Sequence, residues 1–144
     1  FYKTFFKKVS NILTDDGICL LHTIGSVDPP GPINPFIQKR VFPGGTIPSL
    51  SDLIKPIEKT GLIVSDCETL IHHYDKTLKA WLARFQNNQE KAKFLYSKEF
   101  VRMWECYLSM CSAAFHFRDL VVYQLQLVKN FTAPPSNRRN YIYQ

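Results

Sequence analysis

Apolar side chains at Tyr2, Phe5, Phe6, Val9, Ile12 and Leu13 recur at helical spacing, and Lys3, Lys7 and Lys8 fall mostly on the opposite face. That period predicts an amphipathic helix near the start of the chain. Asp15-Asp16-Gly17 reads as the turn that follows. Residues 18–24 are then apolar almost without a break, interrupted by His22 and Thr23. Such a run predicts a strand buried on both faces, as in parallel sheets. Residues 25–45 carry Pro29, Pro30, Pro32, Pro35 and Pro43 and read as a long loop. A loop of that length in a compact domain is usually functional. A short helix is expected to open at Pro48-Ser49-Leu50-Ser51-Asp52 and run to about Glu58, with Ser51 as candidate cap and Pro56 favouring an early end or a kink. Gly61 closes it, and residues 62–69 predict a second strand.

Two long helices come next. Tyr74, Leu78, Trp81, Leu82 and Phe85 share one face of the first; Val101, Trp104, Leu108, Cys111 and Phe115 share one face of the second, which starts at about Lys91. Asn87-Asn88 separates them, and Arg118-Asp119 ends the second. In residues 120–128, Val121, Tyr123, Leu125 and Leu127 alternate with Gln124 and Gln126, which predicts an antiparallel strand at a sheet edge. Residues 132–144, with Pro134-Pro135 and Arg138-Arg139, read as a tail after one domain over 1–131. Helices and strands that alternate in this way indicate an α/β sheet.

Composition narrows the function classes. The 144 residues are 45% hydrophobic and 14% aromatic, enough for a core. The net charge of +6 suits an anionic membrane surface, and also ordinary surface chemistry. There is no dense Lys/Arg block, RNA-binding aromatic motif or zinc-finger spacing, so no nucleic-acid partner is expected. Cys19, Cys67, Cys106 and Cys111 form no Cys-x-x-Cys pair. Three of them fall in apolar or periodic contexts, where a free thiol is expected to be a small buried hydrophobe in a reducing compartment. His72-His73 lacks the helical spacing of a metal site, and no metal is expected. No apolar run reaches spanning length, so membrane contact is expected to be peripheral.

Candidate chemistry gathers where a strand ends. His22 lies near the carboxyl end of the first strand, where open α/β sheets bind ligands, although a histidine bonded to backbone fits the same place. Tyr74 opens a helix just after a strand and reads equally as a core tyrosine with a bonded hydroxyl. Gly44-Gly45 reads as a turn more readily than as an anion cradle, and the Gly-Lys-Ser/Thr element of a phosphate loop is absent.

Several strings recur in a telling order: His22-Thr23-Ile24-Gly25-Ser26, Val41-Phe42-Pro43-Gly44-Gly45, Tyr74-Asp75-Lys76-Thr77-Leu78-Lys79-Ala80-Trp81, Phe100-Val101-Arg102-Met103-Trp104 and Cys111-Ser112-Ala113-Ala114-Phe115. Together they resemble the C-terminal part of the cyclopropane-fatty-acyl-phospholipid synthases. The resemblance implies an α/β fold: the C-terminal half of a Rossmann-like class I methyltransferase sheet, with inserted helices over a lipid site. It implies methyl transfer from S-adenosylmethionine to a cis double bond in a phospholipid acyl chain. Loss of a proton from the new methyl group then closes the ring. A base must take that proton. By the same resemblance the base is a bound bicarbonate, held by the His22 and Tyr74 side chains and the Ile24 backbone amide. Phe42, Ile47, Leu78, Cys111 and Phe115 would line the acyl tunnel. No Glu-x-Gly-x-Gly pattern occurs, so the cofactor-binding half is expected to lie outside these residues, which alone would be inactive. An uncovered apolar edge and self-association are then expected, with unsaturated phospholipid at the cytoplasmic membrane face as partner. A lipid C-methyltransferase, or a non-catalytic lipid- or protein-binding module, remains the alternative.

Overall fold

The computed structural model describes residues 1–134 and 139–142. Their elements run α1 (Tyr2–Ile12), β1 (Ile18–Ser26), α2 (Pro35–Arg40), α3 (Leu50–Glu58), β2 (Ile63–Leu70), α4 (His73–Asn87), α5 (Gln89–Leu95), α6 (Lys98–Phe117), β3 (Leu120–Val128) and a short 3-10 turn over Arg139–Ile142. The strands form one sheet in the order β1-β3-β2. β3 is antiparallel to both neighbours, so β1 and β2 run parallel to each other.

β3 is therefore the central strand, not the edge its alternating pattern suggested. Val121, Tyr123, Leu125 and Leu127 pack with Phe6 and Val9 of α1, Leu53 and Ile57 of α3, and Leu62. Val122, on the opposite face, packs with Leu78 of α4 and with Leu108 and Phe115 of α6. Helices thus cover both faces, giving the three layers of an α/β domain. Gln124 and Gln126 point into the α4–α6 side. Both are satisfied there: Gln126 Nε2 donates to Ser65 Oγ at 3.0 Å and Gln124 meets His22 at 3.1 Å. Buried polar groups are tolerated when hydrogen-bonded, and the polar half of the alternation does not mark a solvent face here.

β1 shows the opposite departure. Among the described residues β3 is its one strand partner, with a single bridge from Ser26 to Ser49 besides, and Ile18, Leu20 and Ile24 are 42%, 61% and 37% exposed. Its apolar run is an open edge with a bare face, where burial on both faces was expected. The long loop contains α2, capped by the Asn34 side chain accepting from the Phe36 amide, with Pro35 at the first helical position. Ser49 caps α3, in place of Ser51: its side chain and that of Asp52 bond each other's backbone amides reciprocally. Pro56 is accommodated two residues before α3 ends. The second long helix is two, α5 and α6, divided at Tyr96-Ser97, where the Ser97 hydroxyl accepts from the Phe100 amide. Cys67 and Cys106 are exposed and Cys19 and Cys111 half-buried, so the expected buried thiols are not found. Within the tail, Pro135 and Arg138 lie outside the described residues, whereas Arg139 pairs with Asp66 at 2.8 Å.

Candidate active site at the carboxyl end of the first strand

Hydrogen bonding and one glycine set the end of β1. Gly25 has no side chain because the Tyr123 ring lies across it: an added Cβ would meet ring carbons at 2.3 Å. The Tyr123 hydroxyl donates to the Ser26 carbonyl at 2.9 Å and pins the ring there. The Ser26 amide donates away from β3, to the Pro48 carbonyl at 2.9 Å, and the Val27 amide donates to Asp119. Backbone groups alternate in direction along a strand. The amides of Ile24 and His22 therefore point the same way as that of Ser26, toward the open side of the sheet.

His22 stands on the α4–α6 face of β1, opposite Gln124 in register. Its Nδ1 lies 3.1 Å from the Gln124 amide nitrogen. With the amide donating, Nδ1 accepts and Nε2 carries the hydrogen. Tyr74, in the first turn of α4, brings its ring centroid to 6.5 Å from that of His22. Its ring is stacked on Phe115 of α6 at 5.5 Å. The chain thus brings His22 and Tyr74 together from elements more than fifty residues apart, with Phe115 as backing.

A cleft of about 570 Å³ lies at the carboxyl end of β1, with Ser26 on its wall and His22, Ile24 and Tyr74 off it. Ile33 and Ile37 line it from the loop and α2, Ile47 from the segment before α3, and Met110, Cys111 and Ala114 from α6. Of the residues expected in an acyl tunnel, Ile47 and Cys111 are on this wall. Burial pushes the Cys111 thiol up to about 11, so it lines the wall as a neutral, apolar group. Phe42 is 52% exposed and packs edge-on against Tyr107 at 5.9 Å. Leu78 and Phe115 are buried in the core under Tyr74. The structure does not place these three on the cleft wall.

Sequence reasoning missed the group that fixes Tyr74 in place. Asp75 is 4% exposed. Its carboxylate accepts from Lys79 Nζ at 2.7 Å, Ser112 Oγ at 2.6 Å and His116 Nδ1 at 2.7 Å. Two of those donors come from α6, so Asp75 ties α4 to α6 one residue after Tyr74. The signal available was Ser112 and His116, four apart on one helix face. The Lys79 and Ser112 hydrogen bonds, partly opposed by burial, hold the Asp75 carboxyl well below the usual carboxylate range. Its contribution to stability is accordingly full above the unfolded carboxylate range near ~3.9 and is lost as pH falls below it. The thermal midpoint should fall between about pH 5 and pH 2, and Asp75→Asn should flatten that fall. An unchanged slope would remove Asp75 from the acid response.

The sequence profile described as mycolic acid cyclopropane synthetase matches residues 1–125. The chain belongs to that family. It is 36% identical over 124 residues to the cyclopropane-fatty-acyl-phospholipid synthase of Escherichia coli strain K12, a match that takes in 86% of this chain and 32% of that protein. The structure of the cyclopropane synthase MmaA2 from Mycobacterium tuberculosis superposes with a TM-score of 0.81 at 28% identity, covering 88% of this chain and 49% of that one. The crystal structure of mycolic acid cyclopropane synthase CmaA1 complexed with SAH and CTAB gives 0.79 at 30% identity, with 88% and 49% covered. The family member described here thus spans 32% to 49% of the length of these proteins. Its β1-β3-β2 sheet, closed by a reversed strand, belongs to their methyltransferase fold.

Proposed function

We propose that these residues form the acyl-binding and base-holding part of an S-adenosylmethionine-dependent enzyme that builds a cyclopropane ring on the cis double bond of an unsaturated phospholipid acyl chain. The juxtaposition of His22 and Tyr74 beside the outward Ile24 amide carries this reading. Three donors of different kinds would serve there: an imidazole Nε2–H, a phenol and a backbone amide. Such a set suits a small planar anion with three oxygens, and bicarbonate fits it. Bound there, bicarbonate would supply the base for the ring-closing proton. Gln124 keeps His22 in the donating tautomer, and Asp75 keeps Tyr74 on station through the first turn of α4. Phe115, buried under Tyr74, backs the Tyr74 ring. The cleft between α2 and α6, whose wall sets Ile33, Ile37, Ile47 and Met110 beside Asp28, Arg118 and Asp119, would hold the acyl chain.

The residues for S-adenosylmethionine do not fit in the same way. No Gly-rich strand-to-helix turn occurs in the sequence, so the reading requires a cofactor-binding segment other than these residues. The bare face and edge of β1 are where such a segment would pack, and where copies of this chain would self-associate without one. The substrate would be met at the cytoplasmic face of the membrane.

The test exchanges the matched segment of the Escherichia coli synthase for this chain. Calorimetry with S-adenosylmethionine should show no binding by the 144 residues alone and binding by the fusion, and the fusion should convert unsaturated phospholipid to the cyclopropane product. A folded, cofactor-binding fusion that makes no product would leave a non-catalytic lipid- or protein-binding module. A methyl-branched product would leave a lipid C-methyltransferase.

A further inference from the structure

At the turn from α5 to α6, three consecutive large apolar side chains stand in solvent. Phe94 is 88% exposed, Leu95 60% and Tyr96 56%. Scattered exposed apolar residues are ordinary, whereas a contiguous group marks a contact surface. Lys91 and Lys93 precede the trio and Lys98 and Arg102 follow it, all exposed, against Glu90 and Glu99. Lys93 pairs with Glu90 at 2.6 Å; Lys91, Lys98 and Arg102 enter no ion pair among the described residues.

A row of rings leads away from this tip. Tyr96 stacks on Phe100 at 4.5 Å, and Phe100 on Trp104 at 5.9 Å. Trp104 meets Tyr107 at 5.0 Å, and Tyr107 meets Phe42 edge-on at 5.9 Å. Tyr107 lies one helical turn before Cys111, which lines the cleft. The exposed tip and the cleft are therefore the two ends of one aromatic stripe along α6.

We infer that the α5–α6 turn docks this protein on an anionic phospholipid bilayer, and that the stripe is the apolar path from the bilayer to the cleft. The inference rests on the lipid-modifying reading above and adds the place where the lipid is met. Cations beside an aromatic trio match a leaflet with negative head groups over an apolar interior. A second copy of this chain would bring the same positive sign to a self-complementary contact, which disfavours it as the occupant.

The test measures partition of the protein onto vesicles of phosphatidylglycerol and phosphatidylcholine. Partition should rise with the phosphatidylglycerol fraction and fall with salt. Phe94→Ser with Leu95→Ser should weaken it by about tenfold per site. Lys91→Gln, Lys98→Gln and Arg102→Gln together should weaken it by about 10²-fold on anionic vesicles only. These side chains are exposed, and unchanged circular dichroism checks that the fold is kept. With Trp81→Phe, Trp104 is the remaining tryptophan of two. Brominated acyl chains should quench it on the vesicles, and less so after the Phe94 and Leu95 substitutions.

No partition, equal partition onto neutral vesicles, or unchanged partition in both variants would overturn the inference. So would self-association lost with Phe94→Ser and Leu95→Ser. None of these readings needs turnover, so failure here is separable from failure of the enzymatic reading. In an active fusion, the Phe94 and Leu95 substitutions should raise KM on vesicles and leave it unchanged on detergent-dispersed lipid.

Discussion

Tyr74→Phe should lower kcat of the fused enzyme by about 10²-fold or more, and His22→Ala should do the same. Neither side chain is needed for the fold: His22 is exposed on an edge strand, and loss of the Tyr74 hydroxyl leaves its ring stacked on Phe115. The loss is therefore in turnover, with the thermal midpoint nearly unchanged in Tyr74→Phe. In the proposed site both groups would hold one anion, so their effects should not add. The double variant should be about as slow as the worse single one, as expected for residues that act as a unit. Turnover is measured at saturating unsaturated phospholipid and S-adenosylmethionine. Near-normal rates in both single variants would remove the pair from the mechanism. Full additivity would mean that they do not share a ligand.

Phe6→Ala should cost about 3–5 kcal/mol of stability, the range for truncating a large buried aromatic. Phe6 is 1% exposed and is, with Val9, one of two buried residues of α1. α1 has no side-chain N-cap bond and no acidic residue in its first turn. Its place over β3 thus depends on these apolar contacts. A domain of this size has roughly 5–15 kcal/mol in all, so the variant should unfold at markedly lower denaturant or fail to accumulate. A loss below about 1 kcal/mol by urea titration would show that the α1–α3 layer relaxes around the gap.

Much of the architecture was legible because period and punctuation agreed. α1 and β3 fall where the helical and alternating patterns put them, and Asn88 separates α4 from α5. Strand order was not legible. Gln124 and Gln126 gave β3 the pattern of a half-solvated strand, and only their partners His22, Ser65 and Tyr141 show why polar groups stand on an inner face. β1 failed in the other direction: its apolar run is suited to cover that these residues do not provide. The caps at Asn34, Ser49 and Ser97 were all present as local signals; the second was read two positions off, at Ser51, and the others were passed over. In the candidate site, His22 and Tyr74 could be named from motif order. Asp75 could not be given a role, since its partners Ser112 and His116 lie 37 and 41 residues away.

The middle strand of the sheet is also the last to be made. Among the described residues β1 and β2 each pair with β3 and not with each other. As the chain leaves the ribosome, neither strand has its β3 partner until Leu120–Val128 has emerged. Such late, long-range pairing is slow and leaves apolar strands open to wrong partners meanwhile. A chain interrupted between Phe117 and Leu120 would keep α1 to α6 and lack the strand that joins β1 to β2.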